Sequence, residues 1–298
     1  MLFCGFVLTC GKLPEVFTEE TSQQPLTPLS EQHAEPPAHV PELQALRPAS
    51  RWLPWLEVAK AIAIWITSIG LLLFVPVLFA LPYIVYKSVQ AGKFYPEIVT
   101  DTDVLFLSVA AILPAHLLTL FVTKNILGEG ERRSFWKAIR FEWPANVHPV
   151  IVTLICILLA VILLALAWVV TTMYGGGKTD LDLLIEKSMY TRVATAFVAL
   201  ATAPLIEEVI YRGVLYPAVE KATGMGIAIF VVSLLFAGVH VLQYKNNISV
   251  IVMITMLSIV LTVARAVTGS MLPSFIIHLV FNGIQSVVIV AGGFVEKS

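Results

Sequence analysis

The stretch Leu205 to Tyr216, LIEEVIYRGVLY, decides how this chain is read. Two adjacent carboxylates, Glu207 and Glu208, and one guanidinium, Arg212, lie inside a run that otherwise reads as a lipid-buried helix. Ionisable groups within a membrane span are costly and rare, so each calls for a partner or a task. At 100° per residue Glu208 and Arg212, four apart, share one helix face, whereas Glu207 and Arg212 lie about 140° apart around the axis. Arg212 is therefore expected to pair with Glu208. Glu207 is left facing another direction, without a local partner.

The rest of the chain makes the membrane reading compulsory. Of 298 residues, 58% are hydrophobic and only 13% charged, with a mean hydropathy of +0.86, far from the composition of a soluble domain. Apolar runs near twenty residues long occur at 61–86, 104–123, 149–174, 192–216, 224–242, 248–264 and 271–291. The fold expected is all-α, a polytopic transmembrane helical bundle of about seven spans with a disordered N-terminal tail. The first run contains Pro76 and Pro82 and is expected to be one kinked or tilted helix rather than two.

The organisation expected is a tail over 1–50, N-terminal transmembrane helices over 51–190 and a catalytic transmembrane core over 191–298. The tail is rich in Pro, Glu, Gln and Ser (TEETSQQPLTPLSEQHAEPPAHVPE), a composition that buries too little apolar surface to offset chain entropy. The first ten residues, MLFCGFVLTC, are too short to span and lack a basic leader, and LTC only faintly resembles a lipoprotein cleavage site, so no processing is expected. Cys4, Cys10 and Cys156 form neither a CxxC pair nor a zinc-ligand spacing, which removes a disulfide framework and a cysteine metal site from consideration.

A formal net charge of −1 gives no global attraction to nucleic acid or anionic lipid, so charge must be read locally. The densest basic stretch, Lys124, Arg132, Arg133, Lys137 and Arg140, lies between the second and third spans and is expected to face the cytoplasm. The N-terminus, with Arg47, Arg51 and Lys60, and the turns near Ala222 and Thr268, with Lys221 and Arg265, then fall on the same side. Within the basic stretch RRSFWKAIRFEW mixes basic and aromatic residues in the manner of a short interfacial helix. Nucleic-acid binding is not expected of so short a patch beside membrane spans.

Besides Glu207, Glu208 and Arg212, three further polar groups interrupt the spans: Phe236 with His240, His278 with Asn282, and an isolated His116. The first two are four apart, so each pair shares a helix face. Counted from the turns near Ala222 and Thr268 at 1.5 Å per residue, Glu207 and His240 lie roughly 22 to 27 Å from one membrane face, and His278 and Asn282 roughly 15 to 21 Å. Three helices distant in sequence thus bring Glu, His, His and Asn to overlapping depths. A carboxylate and an imidazole can take a proton from water and return it to a leaving amine. A second imidazole and an amide can donate hydrogen bonds to an oxyanion. Glu207, His240 and His278 could equally hold a divalent metal such as zinc that activates the water. No HExxH is present and no serine or cysteine stands beside these histidines as a nucleophile.

These motifs, EEVIYR (Glu207 to Arg212) as EExxxR, FAGVH (Phe236 to His240) as FxxxH and HLVFN (His278 to Asn282) as HxxxN, resemble those of the CPBP family. That family comprises the CAAX prenyl protease and bacteriocin-processing intramembrane endopeptidases, also called Abi proteins. RAVTGSMLPSFIIH also resembles the family's stretch before its last histidine, and the resemblance covers about 191–293. It implies an intramembrane endopeptidase in which Glu207 and His240 activate water, His278 and Asn282 stabilise the oxyanion, and Glu208 and Arg212 support them. The implied substrate is a membrane-associated peptide or protein, CAAX-like or bacteriocin-like, and the implied location is the cytoplasmic membrane of a bacterium.

Two other classes fit part of the pattern. A proton-coupled transporter also places Glu, His and Arg at mid-depth, but the paired, broken halves typical of such proteins are not found. A non-catalytic membrane adaptor or immunity protein of the same fold would show the same spans. For the individual groups, an ion pair locking helix packing or polar interhelical hydrogen bonds are the structural alternatives, and His116 is expected to be a satisfied or cavity-facing histidine.

Overall fold

A computed structural model describes residues 53–95, 101–128, 134–145, 147–175, 182, 185–186, 188–245 and 247–295. The expected tail lies outside the described residues, as do Arg132 and Arg133. Among the described residues the regular secondary structure is helical, within one compact unit. The helices are α1 (Leu53–Ala91), α2 (Thr102–Ala110), α3 (Ile112–Gly128), the single turn α4 (Phe135–Ala138), α5 (Pro149–Tyr174) and α6 (Met189–Ala201). There follow α7 (Ala203–Glu208), a π-helical segment (Val209–Leu215), α8 (Tyr216–Thr223), α9 (Met225–Tyr244), α10 (Ile248–Thr268) and α11 (Leu272–Val295).

Six continuous or joined helical stretches are long and apolar enough to cross a membrane, and a seventh, Met225–Val241, is apolar but shorter. Together they make the bundle of about seven spans expected from the apolar runs, and the protein is an integral membrane protein. The inversion of solvent preference is visible on its surface. Large apolar side chains such as Leu73, Phe74 and Phe121 are well over half exposed, because lipid rather than water covers them. α1 stays one helix through Pro76 and Pro82. Its 39 residues reach roughly 58 Å at 1.5 Å per residue, nearly twice the hydrocarbon thickness.

The two largest of four apolar clusters among the described residues join most of the spans. One joins Ala61 and Ile64 of α1 to Ile210, Tyr211, Leu215 and Tyr216 and to Val232 and Phe236 of α9. The other interleaves Cys156, Ala160 and Leu163 of α5 with Leu257 and Leu261 of α10 and Ile277 and Phe281 of α11. Small residues set the close approaches, as packing in lipid requires: a Cβ on Gly283 would sit 3.2 Å from Leu200 Cδ1. Gly269 ends α10 in the left-handed conformation, φ 66°, and returns its N–H to the Arg265 carbonyl at 3.0 Å, a turn that an L side chain resists.

That turn is clasped by the chain after α4. Arg140 has φ 56°, and its carbonyl accepts from the Met271 N–H at 2.9 Å and from Ser270 Oγ at 3.4 Å. Ser270 Oγ also donates to the Glu142 carbonyl. Aromatic ring contacts run from Phe135 and Trp136 through Phe141 to Phe275. The aromatic and basic segment and the α10–α11 turn therefore occupy the same end of the bundle.

Candidate active site

The fourth apolar run departs from the straight α-helix assumed from the sequence. It breaks at Thr202, whose φ and ψ are −120° and −39°, and restarts with Pro204 in the first turn of α7. Pro204 has no N–H to offer the preceding turn, so interruption there follows from covalent structure. Five residues after Pro204, at Val209, the register widens to a π-helix, in which the Tyr216 N–H reaches back to the Tyr211 carbonyl. Such bulges in α-helices are rare and concentrate at functional sites. The motif residues straddle this junction, with Glu207 and Glu208 closing α7 and Arg212 within the π segment.

The pairing read from the helical wheel is the one observed. Arg212 Nη1 donates to Glu208 Oε1 at 3.0 Å, with both side chains 0% exposed. The second guanidinium nitrogen is fixed from α10: Nη2 donates to the Ser258 carbonyl and to Ser258 Oγ, each at 3.0 Å, and to Thr262 Oγ1 at 3.3 Å. The guanidinium carbon also lies 4.8 Å from the centre of the Phe236 ring, a cation–π contact strengthened by desolvation. A buried charge tolerated in this way must be paired and hydrogen-bonded, and Arg212 is both.

His278 connects the buried pair to the leftover carboxylate. Its Nδ1 lies 2.9 Å from Glu208 Oε1 and its Nε2 3.7 Å from Glu207 Oε2. An ionised carboxylate only accepts, so the Nδ1 proton belongs to the ring and is donated to Glu208. That fixes which nitrogen turns to Glu207. His278 is 3% exposed in its side chain, whereas Glu207 is 26% exposed; the site therefore has a sealed floor and an open upper carboxylate.

His240 comes in from α9. Its Nδ1 bonds the Phe236 carbonyl at 2.8 Å, which makes that nitrogen the donor and leaves Nε2 with a free lone pair in the neutral ring. The half-buried ring lies between Phe236, 4.9 Å away, and Tyr244, stacked at 6.4 Å. Phe236 also meets the His278 ring edge-on at 6.1 Å, so one buried aromatic spaces both histidines and supports Arg212. No direct hydrogen bond joins Glu207 to His240. Glu207 lies within electrostatic reach of Tyr244, the next turn of the His240 helix, and of Tyr211 and His116.

Asn282 sits one turn beyond His278, and its side-chain amide donates to the Ala199 carbonyl at 3.1 Å. That carbonyl is in the last turn of α6, where the helix has no further N–H groups to offer. Asn282 thus ties α11 to the break before Glu207 and retains one uncommitted N–H. His116, isolated in the sequence, is 4% exposed and bonds Thr202 Oγ1 at 2.8 Å, so it holds the same break from the α3 side. Among the described residues no group of three or more His, Cys, Asp or Glu side chains gathers as a metal site. Glu207, His240 and His278 do not gather as the ligand set that a zinc ion would need.

Several residues that build the site were not singled out from sequence. Ser258, Thr262 and Arg265 form a polar stripe at spacings of four and three along an apolar span, a signal that could have been read as a second helix facing Arg212. Trp65 Nε1 donates to Tyr211 Oη at 3.0 Å from 146 residues away, and Thr202 receives His116; neither leaves a sequence signal.

Comparison with curated proteins and with solved structures returned no match. Comparison with protein families returned one, over the residues that carry the buried pair, the break, the π segment and both histidines. Residues 189–284, about a third of the chain, are similar to the family model described as Type II CAAX prenyl endopeptidase Rce1-like.

Proposed function

We propose that the protein is an intramembrane endopeptidase that hydrolyses a peptide bond of a membrane-associated substrate with water activated by Glu207 and His240. The observation that carries this reading is the buried hydrogen-bonded set Arg212–Glu208–His278, sealed at one end, with the accessible Glu207 carboxylate 3.7 Å from His278 Nε2 at the other. An ion pair serving packing alone would have no use for a second, accessible carboxylate at its end.

The chemistry follows from the side chains. The Glu207 carboxylate takes a proton from water, with the free Nε2 of His240 as the second acceptor, and the hydroxide adds to the scissile carbonyl carbon. The carbonyl oxygen becomes an oxyanion, for which Asn282 retains an N–H, and His278 Nε2 is a donor while Glu207 lends it the proton taken from water and before that proton returns through Glu207. The proton held by Glu207 or His240 then passes to the leaving nitrogen as the C–N bond breaks, and the acid and amine products depart. Arg212 and Glu208 touch no substrate; they orient His278. The substrate class that fits the family description is a C-terminal CAAX-type tail or another membrane-associated peptide such as a bacteriocin precursor. A bacterial cytoplasmic membrane fits the sequence pattern.

The test is cleavage of a membrane-anchored peptide by purified protein beside Glu207→Gln and His240→Ala. Each substitution is expected to lower the rate by about 10²–10⁴-fold with the fold retained, because both side chains are partly exposed. Wild-type rates in both variants would take Glu207 and His240 out of the chemistry, and no cleavage by the wild-type protein itself would leave an adaptor or a transporter as the function.

A further inference from the structure

The π segment is held by an arrangement in which one helix lacks a donor and another supplies it. With the Tyr216 N–H turned back to Tyr211, the Arg212 carbonyl has lost the partner an α-register would provide. In the π-register its partner would be the N–H five residues on, which is Pro217 and does not exist. Arg212 is 0% exposed, so water cannot reach a carbonyl left bare at this depth, and such an orphan is costly. Arg265 Nε donates to that carbonyl at 3.1 Å from α10.

Arg265 is itself 5% exposed and carries its charge 5.5 Å from the Tyr216 ring, in electrostatic reach of Glu220. It sits one helical turn from Thr262, which with Ser258 holds the Arg212 guanidinium. α10 therefore grips Arg212 twice, by its side chain through Ser258 and Thr262 and by its main chain through Arg265.

We propose that Arg265 is a positioning residue of the active site. It replaces the N–H that Pro217 lacks, locks the π-register, and so sets the direction in which Arg212 presents Glu208 and, through it, His278. The kinetic part of this inference rests on the endopeptidase reading. The backbone part does not.

The two parts separate in a double-mutant cycle between Arg265 and Pro217 in the full-length protein. Arg265→Met removes the donor and is expected to lower kcat about tenfold or more, with KM changed less, because it misdirects the site rather than the substrate. Pro217→Ala restores a backbone N–H within reach of the Arg212 carbonyl. In the Pro217→Ala background the same Arg265→Met substitution is expected to cost about threefold or less in kcat, since the carbonyl again has a partner. The unfolding equilibrium in detergent, read over the same four proteins, is expected to show the same compensation whether or not any substrate is cleaved.

Should Arg265→Met fail to fold, Arg265→Lys, which keeps the charge and shortens the donor, supplies the cycle. Equal losses from the Arg265 substitution in both backgrounds, in rate and in unfolding, would overturn the proposal and leave Arg265 a packing residue. Compensation in unfolding without any peptidase activity would keep the backbone clamp and overturn the endopeptidase reading.

Discussion

Removing the Arg212 side chain tests the physical core of the site. Arg212→Met deletes the 3.0 Å bond to Glu208, three donor contacts to Ser258 and Thr262 and the charge over Phe236. Were the pair at a surface, its loss would cost at most about 1 kcal/mol. Both side chains are 0% exposed, and taking one partner from a buried pair strands the other, at about 3–5 kcal/mol. Against a total stability of about 5–15 kcal/mol, that substitution alone approaches the limit of folding. Glu208→Gln is milder, about 1–3 kcal/mol, because its amide oxygen still accepts from Arg212. The double variant strands no charge and is expected to fall short of the sum by about 1–3 kcal/mol. Reversible unfolding in mixed micelles, followed over wild type, the two single variants and the double variant, gives the coupling directly. A loss under about 1 kcal/mol for Arg212→Met, or strict additivity in the double variant, would refute the buried-pair argument.

Three further outcomes follow from the same geometry. Glu208→Gln keeps an oxygen at the one position that faces both Arg212 Nη1 and His278 Nδ1 but removes the carboxylate charge that holds the His278 ring proton on Nδ1. Cleavage should fall by up to about 10⁴-fold, the scale known for the same change in an Asp–His couple, while KM stays near wild type; an unchanged kcat would sever Glu208 from the mechanism. Gly213→Ala would put a Cβ 3.1 Å from Ile139 Cβ and 3.2 Å from Met271 Sδ. The overpacking should cost about 1–3 kcal/mol despite the higher helix propensity of alanine, and a variant as stable as wild type in thermal unfolding would contradict the close contact. Exhaustive chelation is expected to leave peptide cleavage intact, since the candidate donors are not gathered as a ligand set; loss of activity that zinc alone restores would require those side chains to converge on a metal.

The sequence by itself determined the membrane class, the helical fold and the apolar runs, because hydrocarbon leaves an unsatisfied backbone no option but a helix and twenty apolar residues are hard to mistake. It also determined that Glu208 takes Arg212, since residues four apart on one helix meet whatever surrounds them. The depth argument brought Glu207, His240, His278 and Asn282 to overlapping heights, but depth carries no azimuth. Only the tertiary structure decided that His278, rather than His240, is the histidine lying against Glu207. It also decided that Asn282 holds the Ala199 carbonyl and that His116 braces Thr202. The straight helix assumed through Glu207 and Arg212 gave way to a break and a π-register, and the prolines beside them, Pro204 and Pro217, stood in the sequence. What could not be read there was where the displaced carbonyls would find donors. Those donors come from α10 and α11, and in lipid a backbone group without a local partner must take one from whichever helix packs beside it.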